Sequence, residues 1–121
     1  MEVLKGNFNE GNEKHRGWII GHFIDEKSPF HSKDFEIKWG RYKKGDSKIS
    51  IGKNLKSETL TIMIHGRLKI IFPEYKKTFI LDKEGDYLFF PKNISHSWVA
   101  EEDCMIIGIR WPSIPNDQKI V

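Results

Sequence analysis

The sequence predicts an all-β protein, an antiparallel sandwich or barrel. Three observations carry that expectation. Apolar residues alternate with polar ones in short segments, the period of a strand with one buried face. Gly, Asp, Pro and Asn clusters separate these segments at hairpin spacing. No segment keeps a 3.6-residue apolar period between helix caps.

The elements follow in order along the chain. GWIIGHFI (17–24) is apolar and β-branched. DFEIKWGRY (34–42) alternates, with Phe35, Ile37 and Trp39 opposite Glu36, Lys38 and Tyr42. ETLTIMI (58–64) alternates as well, and His65-Gly66 supplies a tight turn into RLKIIF (67–72). KTFIL (77–81) ends at the turn DKEGD. YLFFP (87–91), HSWVA (96–100) and CMIIGIRW (104–111) complete the set. Residues 1–16 are too polar to assign and are expected to form an arm. The tail 113–121 carries Pro115, follows Pro112, and is expected to be extended or mobile.

The chain has 121 residues, enough for one domain with a real core. Charged residues make up 31% and hydrophobic ones 38%, the balance of a globular protein. One cysteine, Cys104, excludes an internal disulfide and suits a reducing, cytoplasmic setting. Its neighbours Glu101, Glu102 and Asp103 disfavour a reactive thiolate. The polar N-terminus lacks a signal-peptide core, and no apolar run approaches the ~20 residues of a membrane span. The net charge of +3 is spread over the chain rather than gathered in a stripe. Neither a nucleic-acid nor a membrane partner is expected.

The stretch GDYLFFPKNISHSW (85–98) is the most informative. Gly85, Pro91, Asn93 and His96 stand at the spacing of the second cupin signature, with Asn93 in place of a glycine. Asn is the side chain that best tolerates the left-handed turn such a position needs. Upstream, Gly45 and Gly66 bracket a segment that resembles the first cupin signature. The resemblance covers roughly residues 35–110. It implies a cupin-like jelly-roll barrel of two antiparallel sheets, spanning 17–112.

The resemblance also implies a metal cage of three histidines and one glutamate. Counted from Gly45, the first two histidine slots fall on Ile51 and Lys53; counted back from Gly66, the glutamate slot falls on Thr59, with Glu58 one residue away. Of the four ligands only His96 remains, short of the three or four converging donors a transition metal needs. The expectation is a site without metal or other cofactor.

Two registers are open for 58–64. In one, Thr59, Thr61 and Met63 face inward, and the outer apolar face needs cover from the arm or a second subunit. In the other, Glu58, Leu60, Ile62 and Ile64 face inward. Simple burial favours the second, which brings Glu58 towards His96. The expected ligand site comprises Trp39, Arg41, Glu58, Thr59, His96, Trp98 and Arg110. Aromatic faces with arginines suit a small anionic or planar molecule, or a sugar. An inward Arg110 needs an anionic ligand or an acidic partner, with Asp86, Glu36 and Glu58 as candidates for the partner. The leading expectation is a metal-free, homodimeric, small-molecule-binding domain. The alternatives are an enzyme using His96, either an isomerase or epimerase or a divergent metal-dependent oxygenase, and an interaction module without ligand.

Overall fold

The structure is a computed structural model that describes residues 2–11, 13–48 and 50–121. Met1 and Asn12 of the expected arm lie outside that range. Among the described residues, ten strands carry the fold: β1 (Trp18–Ile20), β2 (Glu36–Tyr42), β3 (Gly52–Asn54), β4 (Glu58–His65), β5 (Leu68–Phe72), β6 (Lys77–Leu81), β7 (Tyr87–Phe90), β8 (Ser97–Ala100), β9 (Cys104–Trp111) and β10 (Gln118–Ile120). Among the described residues, no helix is long and apolar enough to cross a membrane.

Five strands pair in the order β1-β2-β9-β4-β7, and three in the order β6-β5-β8; all named pairs are antiparallel. The second sheet is extended by the segment ahead of β4. Lys48 N–H donates to Trp98 O, and Gly52 and His96 exchange both backbone hydrogen bonds. The expected jelly-roll is thus present, with Gly45 and Lys48 hydrogen-bonded to Ala100 and Trp98 of β8. The tail is extended as expected, and β10 pairs with β3.

Register decides what the inner face of the larger sheet presents. Glu36, Arg110, Thr59 and Phe90 form one cross-strand row. Lys38, Gly108, Thr61 and Leu88 form the next, and Gly40, Ile106 and Met63 the third. Strand alternation sends the intervening residues to the other face. The third row joins Leu68, Ile70, Phe72, Leu81, Phe90, Ala100 and Cys104 in an apolar core. The first two rows carry the polar residues Glu36, Arg110, Thr59, Lys38 and Thr61 beside Phe90 and Leu88, so the barrel is packed at one end and largely polar at the other.

The favoured register of β4 is corrected here. Thr59, Thr61 and Met63 are buried, whereas Leu60 and Ile62 are half-buried and Ile64 is exposed. Simple burial of the apolar set misled because the polar set faces a cavity and the apolar set faces outward. The turn at Gly66 holds this arrangement. Gly66 has φ +98°, and a Cβ there would collide with Asp103 O and Cys104.

Candidate functional site

A cavity of about 690 Å³ opens between the two sheets at the polar end. That volume is in the range of small-molecule sites. The larger sheet supplies Lys38, Tyr42, Thr59, Thr61, Phe90, Ile106, Gly108 and Arg110. The opposite wall supplies Leu68, Ile70, His96, Trp98 and the segment from Ser47 to Asn54 in part. Arg16 and Trp18 close one side. A second cavity of about 340 Å³ adjoins it and shares Arg16, Trp18, Asn54, Arg110 and Gln118.

Arg110 stands where the two cavities meet. Its Nη2 donates to Glu36 Oε2 at 3.1 Å and its Nη1 to Asn54 Oδ1 at 3.3 Å. Its guanidinium lies 4.0 Å from the centroid of the Trp18 ring, a cation–π stack. Its Nε–H is buried and, among the described residues, has no acceptor. Of the three acids considered for Arg110, Glu36 is the partner. The cross-strand pairing Glu36↔Arg110 explains why.

Lys38 and Lys48 add positive charge. Burial, then the charge of Arg110, and then that of Arg16, pushes the pKa of each down to about 8. Among the described residues neither they nor Arg16 form a salt bridge. Trp98 and Tyr42 stack at 4.2 Å between ring centroids, forming an aromatic wall across the sheets.

His96 is 8% exposed and packs on Phe90, with ring centroids 4.6 Å apart. Its Nδ1 lies 3.1 Å from Ile94 O. A carbonyl only accepts, so Nδ1 carries the hydrogen and Nε2 keeps a free lone pair. Burial pushes its pKa down to about 4, a shift that the Ile94 contact opposes and the charges of Lys48 and Arg110 reinforce. At neutral pH it is a neutral hydrogen-bond acceptor and a weak base. The turn that delivers it has Asn93 at φ 64°, with its N–H donating to Asn54 O at 2.7 Å. The motif's asparagine therefore does take the left-handed conformation.

Of the expected site residues, Thr59, His96, Trp98 and Arg110 line the cavity, and Trp39, Arg41 and Glu58 do not. The expectation that Trp39 and Arg41 point inward is corrected. The inner residues of β2 are Glu36, Lys38 and Tyr42. Trp39 Nε1 instead donates to Asn9 Oδ1 at 2.9 Å on the outer face, where its ring packs near Phe8 of the arm. Glu58 alternates outward with Leu60, opposite Trp111. The sequence reading missed Trp18, Lys38, Tyr42, Lys48 and Asn54 as lining residues. Lys38 and Tyr42 are legible as the polar half of an alternating strand, but simple burial points the apolar half inward.

The metal-slot count is also corrected by one residue. Gly52 and Asn54 are the buried, cavity-lining positions of β3, rather than Ile51 and Lys53. The four converging positions then hold Gly52, Asn54, Thr59 and His96. Asn54 Nδ2 donates to Thr59 Oγ1 at 3.1 Å, and its Oδ1 accepts from Arg110. One imidazole, an amide already engaged on both atoms and a hydroxyl do not fit a divalent transition metal. Among the described residues, no group of three or more His, Cys, Asp or Glu is placed to hold one.

Cys104 is 1% exposed, and burial, with Asp103 and Asp46, pushes its thiol up, as its acidic neighbours suggest.

No family model matches the sequence, and no curated protein matches it. Solved structures do. KdgF from a Halomonas species superposes with a TM-score of 0.59 at 17% identity, over 85% of this chain and 93% of that one. An RmlC-like cupin protein from Desulfovibrio desulfuricans gives 0.58 at 19%, over 69% and 76%. A structure of the DMSP lyases RdDddP and RnDddQII gives 0.65 at 17%, over 86% of this chain but only 50% of that one. At these identities the likeness is one of fold. The two-sheet topology, the motif around His96 and these superpositions agree: the chain has the cupin fold, an RmlC-like jelly-roll barrel.

Proposed function

We propose that this cupin-fold domain binds a small planar organic anion in the cavity between its sheets, without a metal. One observation carries the reading. Arg16, Lys38, Lys48 and Arg110 face the cavity region, and the one carboxylate paired among them is Glu36 on Arg110. Asp117, which lines the adjoining cavity, already accepts from the N–H groups of Lys56 and Ser57. Gathered, uncompensated cations beside a low-dielectric wall are costly unless an anion joins them. The Trp18 and Trp98 faces supply the directional part. His96 Nε2 offers an acceptor for a ligand hydroxyl or acid proton.

The donor set at Gly52, Asn54, Thr59 and His96 supports the metal-free part. The buried single thiol of Cys104 is compatible with a reducing cytoplasm, which the reading adopts. The outer apolar face of the larger sheet supports a homodimer. Native mass spectrometry of protein purified without chelator, with elemental analysis, tests the reading. The expected result is metal far below one equivalent and a bound mass of acidic character. Stoichiometric transition metal on His96 would overturn it.

A further inference from the structure

Lys38 is the cavity group that anion binding alone does not explain. It stands opposite Trp18 on one side and Gly108 on the other. Gly108 offers no side chain, and a Cβ there would come 3.4 Å from Lys38 Cβ, so the lysine stem has open floor beside it. Nζ lies 5.0 Å from the Tyr42 ring centroid, 5.7 Å from that of Trp18 and 5.8 Å from that of Trp98. Among the described residues it makes no hydrogen bond or ion pair.

The charged and titratable groups around it are Arg16, Glu36, Tyr42, Lys48, His96 and Arg110. Among the described residues lining the two cavities, the acids are Glu36, committed to Arg110, and Asp117, which accepts from the N–H groups of Lys56 and Ser57. An amine that lacks a counter-ion and sits among cations is biased towards its neutral, nucleophilic form. Ring faces at this range return only part of that bias.

We propose that Lys38 is an imine-forming amine, and that the cavity takes an oxo acid whose carbonyl meets Lys38 and whose carboxylate meets Arg110 and Arg16. The proposal rests on anion binding by the same cavity. The step is a condensation. The Lys38 nitrogen adds its lone pair to the carbonyl carbon, and a C=N bond replaces the C=O bond. The carbonyl oxygen leaves as water with the two hydrogens of the amine. No oxidant or reductant takes part.

The test uses 4-formylbenzoate with cyanoborohydride, which reduces an imine to a stable secondary amine, and peptide mapping by mass spectrometry. 4-Methylbenzoate is the matched probe that cannot form an imine. Lys38 should be labelled at least ten-fold faster than any other lysine, and 4-methylbenzoate should protect it. Its labelling rate should rise through about pH 8, in line with its lowered pKa. Lys38→Arg should lose the label. If 4-methylbenzoate binds but labelling is spread evenly, or falls on Lys48, the imine proposal is overturned and anion binding stands. If neither probe binds, both fail for planar carboxylates.

Discussion

Arg110 and Glu36 face each other across β9 and β2, joined at 3.1 Å, with side chains only 18% and 8% exposed. The pair sets the electrostatics of the cavity by leaving the remaining cations without a carboxylate. Glu36→Gln removes the counter-charge from a guanidinium that is largely out of water. Breaking a buried pair from one side costs about 3–5 kcal/mol, and the partial exposure of Arg110 places this case near 3 kcal/mol. Urea denaturation should show that loss, and Glu36→Gln/Arg110→Gln should recover at least half of it. An unchanged midpoint for the single variant would show that the pair carries no such role.

Acid should destabilise the protein through His96. Its pKa is about 4 in the folded state, against 6.5 for the free side chain. Between those values the unfolded chain binds the additional proton, so stability rises with pH there. The contribution is fully present above 6.5 and is lost as pH falls through 4. A shift of this size corresponds to something on the order of 3 kcal/mol. Unfolding curves collected from pH 7 to pH 4 should show the decline, and His96→Gln should flatten it. Equal slopes for the two proteins would mean that His96 titrates normally.

The outer face of the larger sheet carries Leu60, Ile62, Ile107 and Ile109, half-buried, and Ile64, Tyr87 and Phe89, exposed. The arm reaches Trp39 through Phe8 and Asn9. Ile62 and Ile107 are cross-strand neighbours on β4 and β9. A homodimer burying more than ~1,000 Å² is expected. Light scattering at tens of micromolar should give twice the chain mass, and Ile62→Glu should give a folded monomer. A monodisperse wild-type monomer would refute the dimer.

Much of the fold was legible because it rests on local signals. Alternation at 34–42 and 58–64, the Gly66 turn and the Pro91–Asn93 turn all recur in the structure where the residues place them. Which face of a strand looks inward was less legible. Alternation identifies two faces but not their destination. Here an apolar outer face and a polar cavity reverse the usual inference. That reversal put Trp39, Arg41 and Glu58 in the expected site and left out Lys38 and Tyr42. Thr59, His96, Trp98 and Arg110 were found because turn spacing or a strand-end charge marked them. Trp18, Lys48 and Asn54 come from segments whose pairing is set by distant partners, so no local pattern reports them.

On the proposed function, the cavity recognises a planar carboxylate through its cations. Calorimetric titration with 4-methylbenzoate and with its neutral counterpart 4-methylbenzamide tests this most directly, because the two differ chiefly in charge. A charge-assisted hydrogen bond is worth about 1.5–3 kcal/mol, roughly ten- to a hundred-fold in affinity. The carboxylate should bind at least ten-fold more tightly than the amide, and Arg110→Gln should abolish the preference. Equal affinity for the two, or binding of neither, would contradict it.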